Sequence, residues 1–216
     1  AARARIRARE KGGVLVTLCS ACHHVLKRVN DDLARNEEIR NKINTYLEVK
    51  EPYQGETKVL HFLEVLRDQV GFAKLAQLVT HPLTGQKIGA YYGCMLLRPS
   101  KVLAFDDPEN PQLLEQFLQA LGATPVRYGM RNECCTGYMA VTNPGLCKQM
   151  VGEILQSARD EEAQALITAC PLCRYNLVAN ASPAQKLPVY YFTELLARAL
   201  GVPVEPAAAE QAGGEG

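Results

Sequence analysis

The 216-residue chain has no tryptophan, only 6% aromatic residues and a formal net charge of +1. It therefore lacks both the electrostatic field and the stacking surface of a nucleic-acid binder. No apolar run approaches the roughly 20 residues that cross a bilayer. The N-terminus carries no apolar h-region of a secretory signal. These absences predict a cytoplasmic protein without a membrane span. The glycines form neither G-x-G-x-x-G nor a P-loop, so no flavin, nicotinamide or nucleotide site is expected. No Ser/His/Asp triad can be assembled. Arg3, Arg5, Arg7 and Arg9 form a small basic cluster that reads as a solvated helix face.

Cysteine, by contrast, is plentiful: eight residues, at 19, 22, 94, 134, 135, 147, 170 and 173. Where thiols stay reduced, such clustering points to metal binding or catalysis rather than disulfides. A Cys-x-x-Cys at a strand end that opens a helix sends both sulfurs toward one point, and the helix N-terminus favours the thiolate. Cys19/Cys22 and Cys170/Cys173 have this form, which also fits a zinc site or a thioredoxin-like pair. The adjacent Cys134-Cys135 is more specific. Neighbouring cysteines rarely share one tetrahedral ion but reach different irons of a multinuclear cluster, and Gly137 lets backbone approach the sulfurs. Cys147 falls inside a predicted helix and reads as a small buried apolar residue.

Short apolar runs alternate with amphipathic stretches. Val14–Leu18 leads into a helical pattern over 21–33, and 58–60 precedes the periodic stretch 61–70. Residues 88–92 run into Gly93-Cys94. After the Asp106–Pro111 turn a helix is expected over 112–121, followed by a short strand over 125–128. Asn143-Pro144 is a strong helix start, with the helix continuing to about Glu162. Strands at 166–168 and 189–191 each feed a helix. This alternation predicts an α/β fold with a mainly parallel sheet. The segment 205–216 reads as a disordered tail.

An internal repeat organises the chain. Leu15-Val16-Thr17-Leu18-Cys19-Ser20-Ala21-Cys22 matches Leu166-Ile167-Thr168-Ala169-Cys170-Pro171-Leu172-Cys173 at an offset of 151, and the stretch Val59…Gly71 matches Val189…Gly201 at an offset of 130. The second copy has Cys94 and Cys134-Cys135 upstream of its Cys-x-x-Cys; the first copy has no cysteine there. With no initiator Met, this predicts that the N-terminal part of the first unit is missing; a natural half-repeat is the alternative. Residues 1–85 are then the remnant of an N-terminal cysteine-rich unit and 86–204 a complete C-terminal one.

The pattern C-x39-CC-x34-C-x2-C over 94–173 resembles the CCG motif of the heterodisulfide reductase B-subunit family. Tyr91-Tyr92-Gly93-Cys94, Arg98-Pro99, Cys170-Pro171-Leu172-Cys173 and Tyr191–Leu196 fit locally, and the resemblance covers roughly 12–203. It implies two Rossmann-like pseudo-repeats with parallel sheets, the first incomplete. It implies a noncubane [4Fe–4S] cluster on Cys94, Cys134, Cys135, Cys170 and Cys173, with Cys19 and Cys22 as the closing pair of a second site. The implied activity is reduction of a small-molecule disulfide, of the CoB-S-S-CoM type or analogous. Electrons would come from an iron–sulfur subunit (HdrC-like) and a flavoprotein subunit (HdrA-like). Two other functions stand beside it: electron transfer in a lactate, glycerol-3-phosphate or succinate oxidoreductase, and a zinc-stabilised interaction module. Thr136 stands where the motif has glycine, with Gly137 one place later, which puts the local turn in question. His23 and His24 read as helix-surface residues, with tuning of the centre or proton donation as the alternative. His61 reads as structural, and His81 lies in a loop.

Overall fold

The computed structural model describes residues 1–203; the expected tail at 205–216 lies outside the described residues. Helix α1 (Ala2–Arg9) precedes β1 (Val14–Thr17), α2 (Ser20–Arg35), α3 (Glu37–Tyr46), β2 (Lys58–His61) and α4 (Phe62–Val65). A π-turn then leads to α5 (Phe72–Leu78), β3 (Lys87–Tyr91), α6 (Ser100–Leu103), α7 (Leu113–Ala120) and β4 (Thr124–Val126). After a 3-10 turn come α8 (Pro144–Asp160), β5 (Ala165–Thr168), α9 (Pro171–Ala179), β6 (Val189–Tyr191) and α10 (Phe192–Ala199). No helix among the described residues is long and apolar enough to cross a membrane.

The fold is α/β. β1 and β2 form a two-stranded sheet, and β4-β3-β5-β6 a four-stranded one; every pairing is parallel. Strand β5 is buried on both faces, as parallel sheets require. Its side chains alternate. Ile167 joins a core with Phe117, Leu114 and Phe192, whereas Leu166 packs on the opposite face with Val151, Ile154 and Leu177.

The repeat holds down to the register. Leu15 pairs with Val59 and Thr17 with His61; their counterparts Leu166 and Thr168 pair with Val189 and Tyr191. His61 and Tyr191 each cap the following helix, and their backbone N–H groups donate to Glu64 (2.6 Å) and Glu194 (2.7 Å). The residue after each Cys-x-x-Cys reaches that same glutamate: Arg174 lies 3.3 Å from Glu194, and His23 lies 3.7 Å from Glu64. On its other edge β5 pairs with β3, whereas among the described residues β1 has only β2.

Two surface expectations are corrected. Arg5 is fully buried, not solvated; its guanidinium donates to the Leu26 carbonyl. Helical turning places Ala2, Arg5 and Ile6 on the inward side of α1, which alternation along the sequence conceals. His23 is likewise fully buried, against Thr17 Oγ1 at 3.1 Å. Burial, reinforced by the charges of Lys27 and His24, lowers its pKa to about 3, and burial with neighbouring His23 lowers that of His61 to about 3. His23 is therefore neutral, and its contact with Glu64 is not an ion pair. Below pH 6.5 the unfolded chain binds protons that the native state refuses, so stability is full above pH 6.5 and falls as pH drops toward 3. Urea unfolding at pH 5.0 rather than 7.5 is expected to show a loss of about 2 kcal/mol per histidine, and the His61→Gln variant a smaller one.

Candidate metal centre

The five cysteines of the C-terminal motif arrive from three places at the carboxyl ends of β3 and β5, the usual position for ligands in open α/β sheets. Cys94 follows β3 through Gly93, which has φ +61°. A Cβ at Gly93 would lie 3.1 Å from the Cys173 sulfur, so only glycine lets the strand exit pass so close. Cys170 is the N-cap of α9, and Cys173 sits in its first turn. Cys134 and Cys135 come from the loop after β4. There Thr136 itself takes the left-handed conformation, φ +55°, so the turn forms without the motif's glycine.

The adjacent cysteines serve different partners. Cys134 lies 3.6 Å from Cys94, sulfur to sulfur, and Cys135 lies 3.5 Å from Cys173. With Cys170 they line one small cavity of about 20 Å³, rimmed by Met95, Tyr138 and Leu172. All eight cysteines are free thiols. Among the described residues no three His, Cys, Asp or Glu groups are disposed around a single ion position. The donors instead surround the cavity, and Cys135, Cys170 and Cys173 are buried.

These thiols share protons. The Cys94 thiol lowers the Cys134 pKa to about 6, against burial, and the Thr136 N–H adds to this at 3.3 Å. Cys173 does the same for Cys135, to about 7, and also lowers Cys170. Cys94 and Cys173, the proton holders, are pushed up by the same contacts. Five crowded sulfurs cannot all ionise unless positive charge joins them. An all-sulfur set spread round a half-dehydrated cavity fits a multinuclear iron–sulfur group, for which thiolates are the natural ligands.

Cys19 and Cys22 lie outside the lining of the five-sulfur cavity. Cys19 caps α2 and accepts from the Cys22 N–H at 3.3 Å; Cys22 is exposed. The helix N-terminus does not win here, because burial raises the Cys19 pKa to about 11. In reduced metal-free protein, iodoacetamide is expected to label Cys134 with a midpoint near pH 6 and to leave Cys19 unmodified until strongly alkaline pH; peptide mass spectrometry over a pH series reads both.

The cysteine spacing does not show how neighbouring residues support the site. The Tyr91 hydroxyl donates to the Glu133 carbonyl at 2.8 Å. The Tyr191 hydroxyl lies 2.6 Å from the Leu18 carbonyl and 2.8 Å from that of Ala169, the residues just before each Cys-x-x-Cys. Ser20 adds two bonds to Ala169, at 2.9 and 2.7 Å, and His24 Nδ1 meets the Met95 carbonyl at 3.2 Å. Cys147, buried as expected, donates to Asn176. Asp106 accepts from Gln112 and Leu113 at the start of α7, a turn-and-cap role rather than a metal site.

Residues 88–178 match the family described as CCG, cysteine-rich domain. The 8-methylmenaquinol:fumarate reductase membrane anchor subunit of Wolinella succinogenes is 33% identical over 199 residues, covering 88% of this chain and 69% of that protein. The heterodisulfide reductase B-subunit-like protein of Archaeoglobus profundus is 30% identical over 220 residues, covering 96% of this chain and 74% of that protein. The B subunit of the ferredoxin/F(420)H(2)-dependent CoB-CoM heterodisulfide reductase of Methanosarcina acetivorans is 28% identical over 221 residues, covering 98% and 73%. With its five-sulfur cavity at the carboxyl ends of a parallel sheet, the chain belongs to the heterodisulfide reductase B-subunit family of cysteine-rich domain proteins.

Proposed function

We propose that this chain is the iron–sulfur subunit of a heterodisulfide reductase-like complex that delivers electrons to a disulfide. In this reading Cys94, Cys134, Cys135, Cys170 and Cys173 hold one noncubane [4Fe–4S] cluster. The observation that carries it is the split of the adjacent pair, Cys134 toward Cys94 and Cys135 toward Cys173, across one cavity. When bound, such a cluster supplies one-electron transfer. The protein supplies thiolates poised for metal, burial of Cys135, Cys170 and Cys173 that limits water, and the fixed strand exit at Gly93. Residues 1–85 belong to a second cysteine-rich unit, to which they contribute Cys19 and Cys22. Tyr191 holds the two Cys-x-x-Cys turns against each other. The electron donors are an iron–sulfur subunit and, upstream of it, a flavoprotein.

A second reading is favoured by the 33% identity to a fumarate reductase component: the site passes electrons along a quinol-linked chain and no disulfide reacts. Anaerobic purification tests what the two share. A brown protein with a broad band near ~400 nm and about four irons per chain is expected; a colourless protein with one zinc overturns both. Adding a disulfide to the dithionite-reduced, reconstituted complex then separates them, since bleaching reverses only in the first.

A further inference from the structure

Asn176 lies three residues beyond Cys173 on α9 and is 1% exposed. A buried amide is costly unless its polar atoms are paired, and this one is heavily paired. Its Nδ2 donates to the Cys135 carbonyl. Its Oδ1 accepts from the Cys147 thiol at 2.9 Å and from Asn180 Nδ2 at 2.6 Å. The Cys135 sulfur and Asn176 Nδ2 both flank Gly137, where a Cβ would lie 3.5 Å from the one and 4.0 Å from the other.

The internal repeat separates scaffold from site. At the 151-residue offset Asn176 corresponds to Val25, which is 49% exposed and has no polar side-chain atom. Helix α2 therefore forms after its Cys-x-x-Cys with an apolar residue at this place. The strand-Cys-x-x-Cys-helix unit does not need the amide; the Cys134-Cys135 turn, which only the second unit has, does.

We propose that Asn176 is a positioning residue of the metal centre, fixing the Cys134-Cys135 turn through the Cys135 carbonyl and directing an N–H at the Cys135 sulfur, and that it thereby raises the reduction potential of the group this sulfur holds. The inference rests on the cluster reading above. Hydrogen bonds to a ligand sulfur favour the more negatively charged, reduced state. Cys147 belongs to the same arrangement: its thiol occupies the amide oxygen and so orients the amide nitrogen toward Cys135.

The test is spectro-electrochemical titration of reconstituted wild type, Asn176→Leu, Asn176→Ala and Cys147→Ser. Leucine keeps the shape and removes the donor; alanine carries the test should leucine pack badly. The serine variant keeps a donor to the amide oxygen. In the iron-loaded asparagine variants reduction is expected to be at least tenfold less favourable, which is about 59 mV lower for a one-electron step. Cys147→Ser is expected to stay at the wild-type potential. Iron-loaded asparagine variants with an unmoved potential overturn this inference and leave the cluster reading intact. A wild-type protein that takes up no iron overturns the cluster reading and this inference with it.

Discussion

Cys173→Ala is expected to abolish iron loading, from about four irons per chain to background, while Cys22→Ala loads normally. Cys173 is the hub of the sulfur set. It touches Cys135 at 3.5 Å, it is the proton donor that lowers both Cys135 and Cys170, and the strand exit at Gly93 closes on it. Removing it deletes one donor and also leaves two other buried thiols without the contact that favours their ionised form. Each then meets the desolvation cost of burial with only the remaining N–H contacts to offset it, which favours the neutral thiol and disfavours metal. A water molecule cannot substitute readily, because Cys173 is only 3% exposed. Cys22 differs in every respect: it is exposed and its sulfur lines no part of the cavity. Anaerobic reconstitution followed by iron assay and the absorbance near ~400 nm reads both variants. Equal iron in Cys173→Ala and wild type sinks the five-sulfur assignment, and loss of iron in Cys22→Ala would move the site toward the N-terminal pair.

Much of this is legible in the sequence because the informative features are local or repeated. Strand–Cys-x-x-Cys–helix is a local pattern, and its matches at offsets of 151 and 130 fall on strands that pair in equivalent register, β1 with β2 and β5 with β6. Which sulfur meets which is not legible, since Cys94 and Cys134 are joined only by tertiary packing. His23 misleads for the same reason. Its helix position looks exposed, yet Thr17 on β1, the His61 ring and Glu64 at the start of α4 pack against it. Asn176 stays silent because one polar residue on a helix carries no signal until its partners at 135 and 147 are known. A spacing of three from Cys173, which places both on one helix face, is the available clue. Thr136 shows the converse: departure from a glycine motif suggests a different turn, yet threonine adopts the same left-handed backbone at some cost.

Glu115→Leu is expected to cost about 3 to 5 kcal/mol, the range for breaking a buried ion pair from one side, although Glu115 touches no cysteine. The residue is 1% exposed. Its carboxylate accepts the Tyr92 hydroxyl proton and lies 3.3 Å from Arg131 Nε. Burial raises its pKa, and the Tyr92 bond and the charge of Arg131 oppose that rise. The Tyr92 hydroxyl in turn accepts from the Leu114 N–H at 2.7 Å. The network fixes the site because Tyr92 N donates at 2.8 Å to the Arg131 carbonyl, binding the residue two before Cys94 to the residue three before Cys134. Leucine at 115 fills the space but leaves the Arg131 charge without this counter-ion and the Tyr92 hydroxyl proton without its acceptor. The exposed pair Arg98–Glu109, 3.1 Å apart, is the contrast: Glu109→Ala should cost under about 1 kcal/mol, as solvated pairs do. Urea midpoints at constant m-value measure both, and the double variant Glu115→Leu/Arg131→Met should recover part of the loss by removing the charge left without this counter-ion. A Glu115→Leu protein as stable as wild type would mean that backbone and packing alone hold Cys94 against Cys134. A destabilised one that also loads iron more weakly would place Glu115, through Tyr92 and Arg131, among the residues that build the centre.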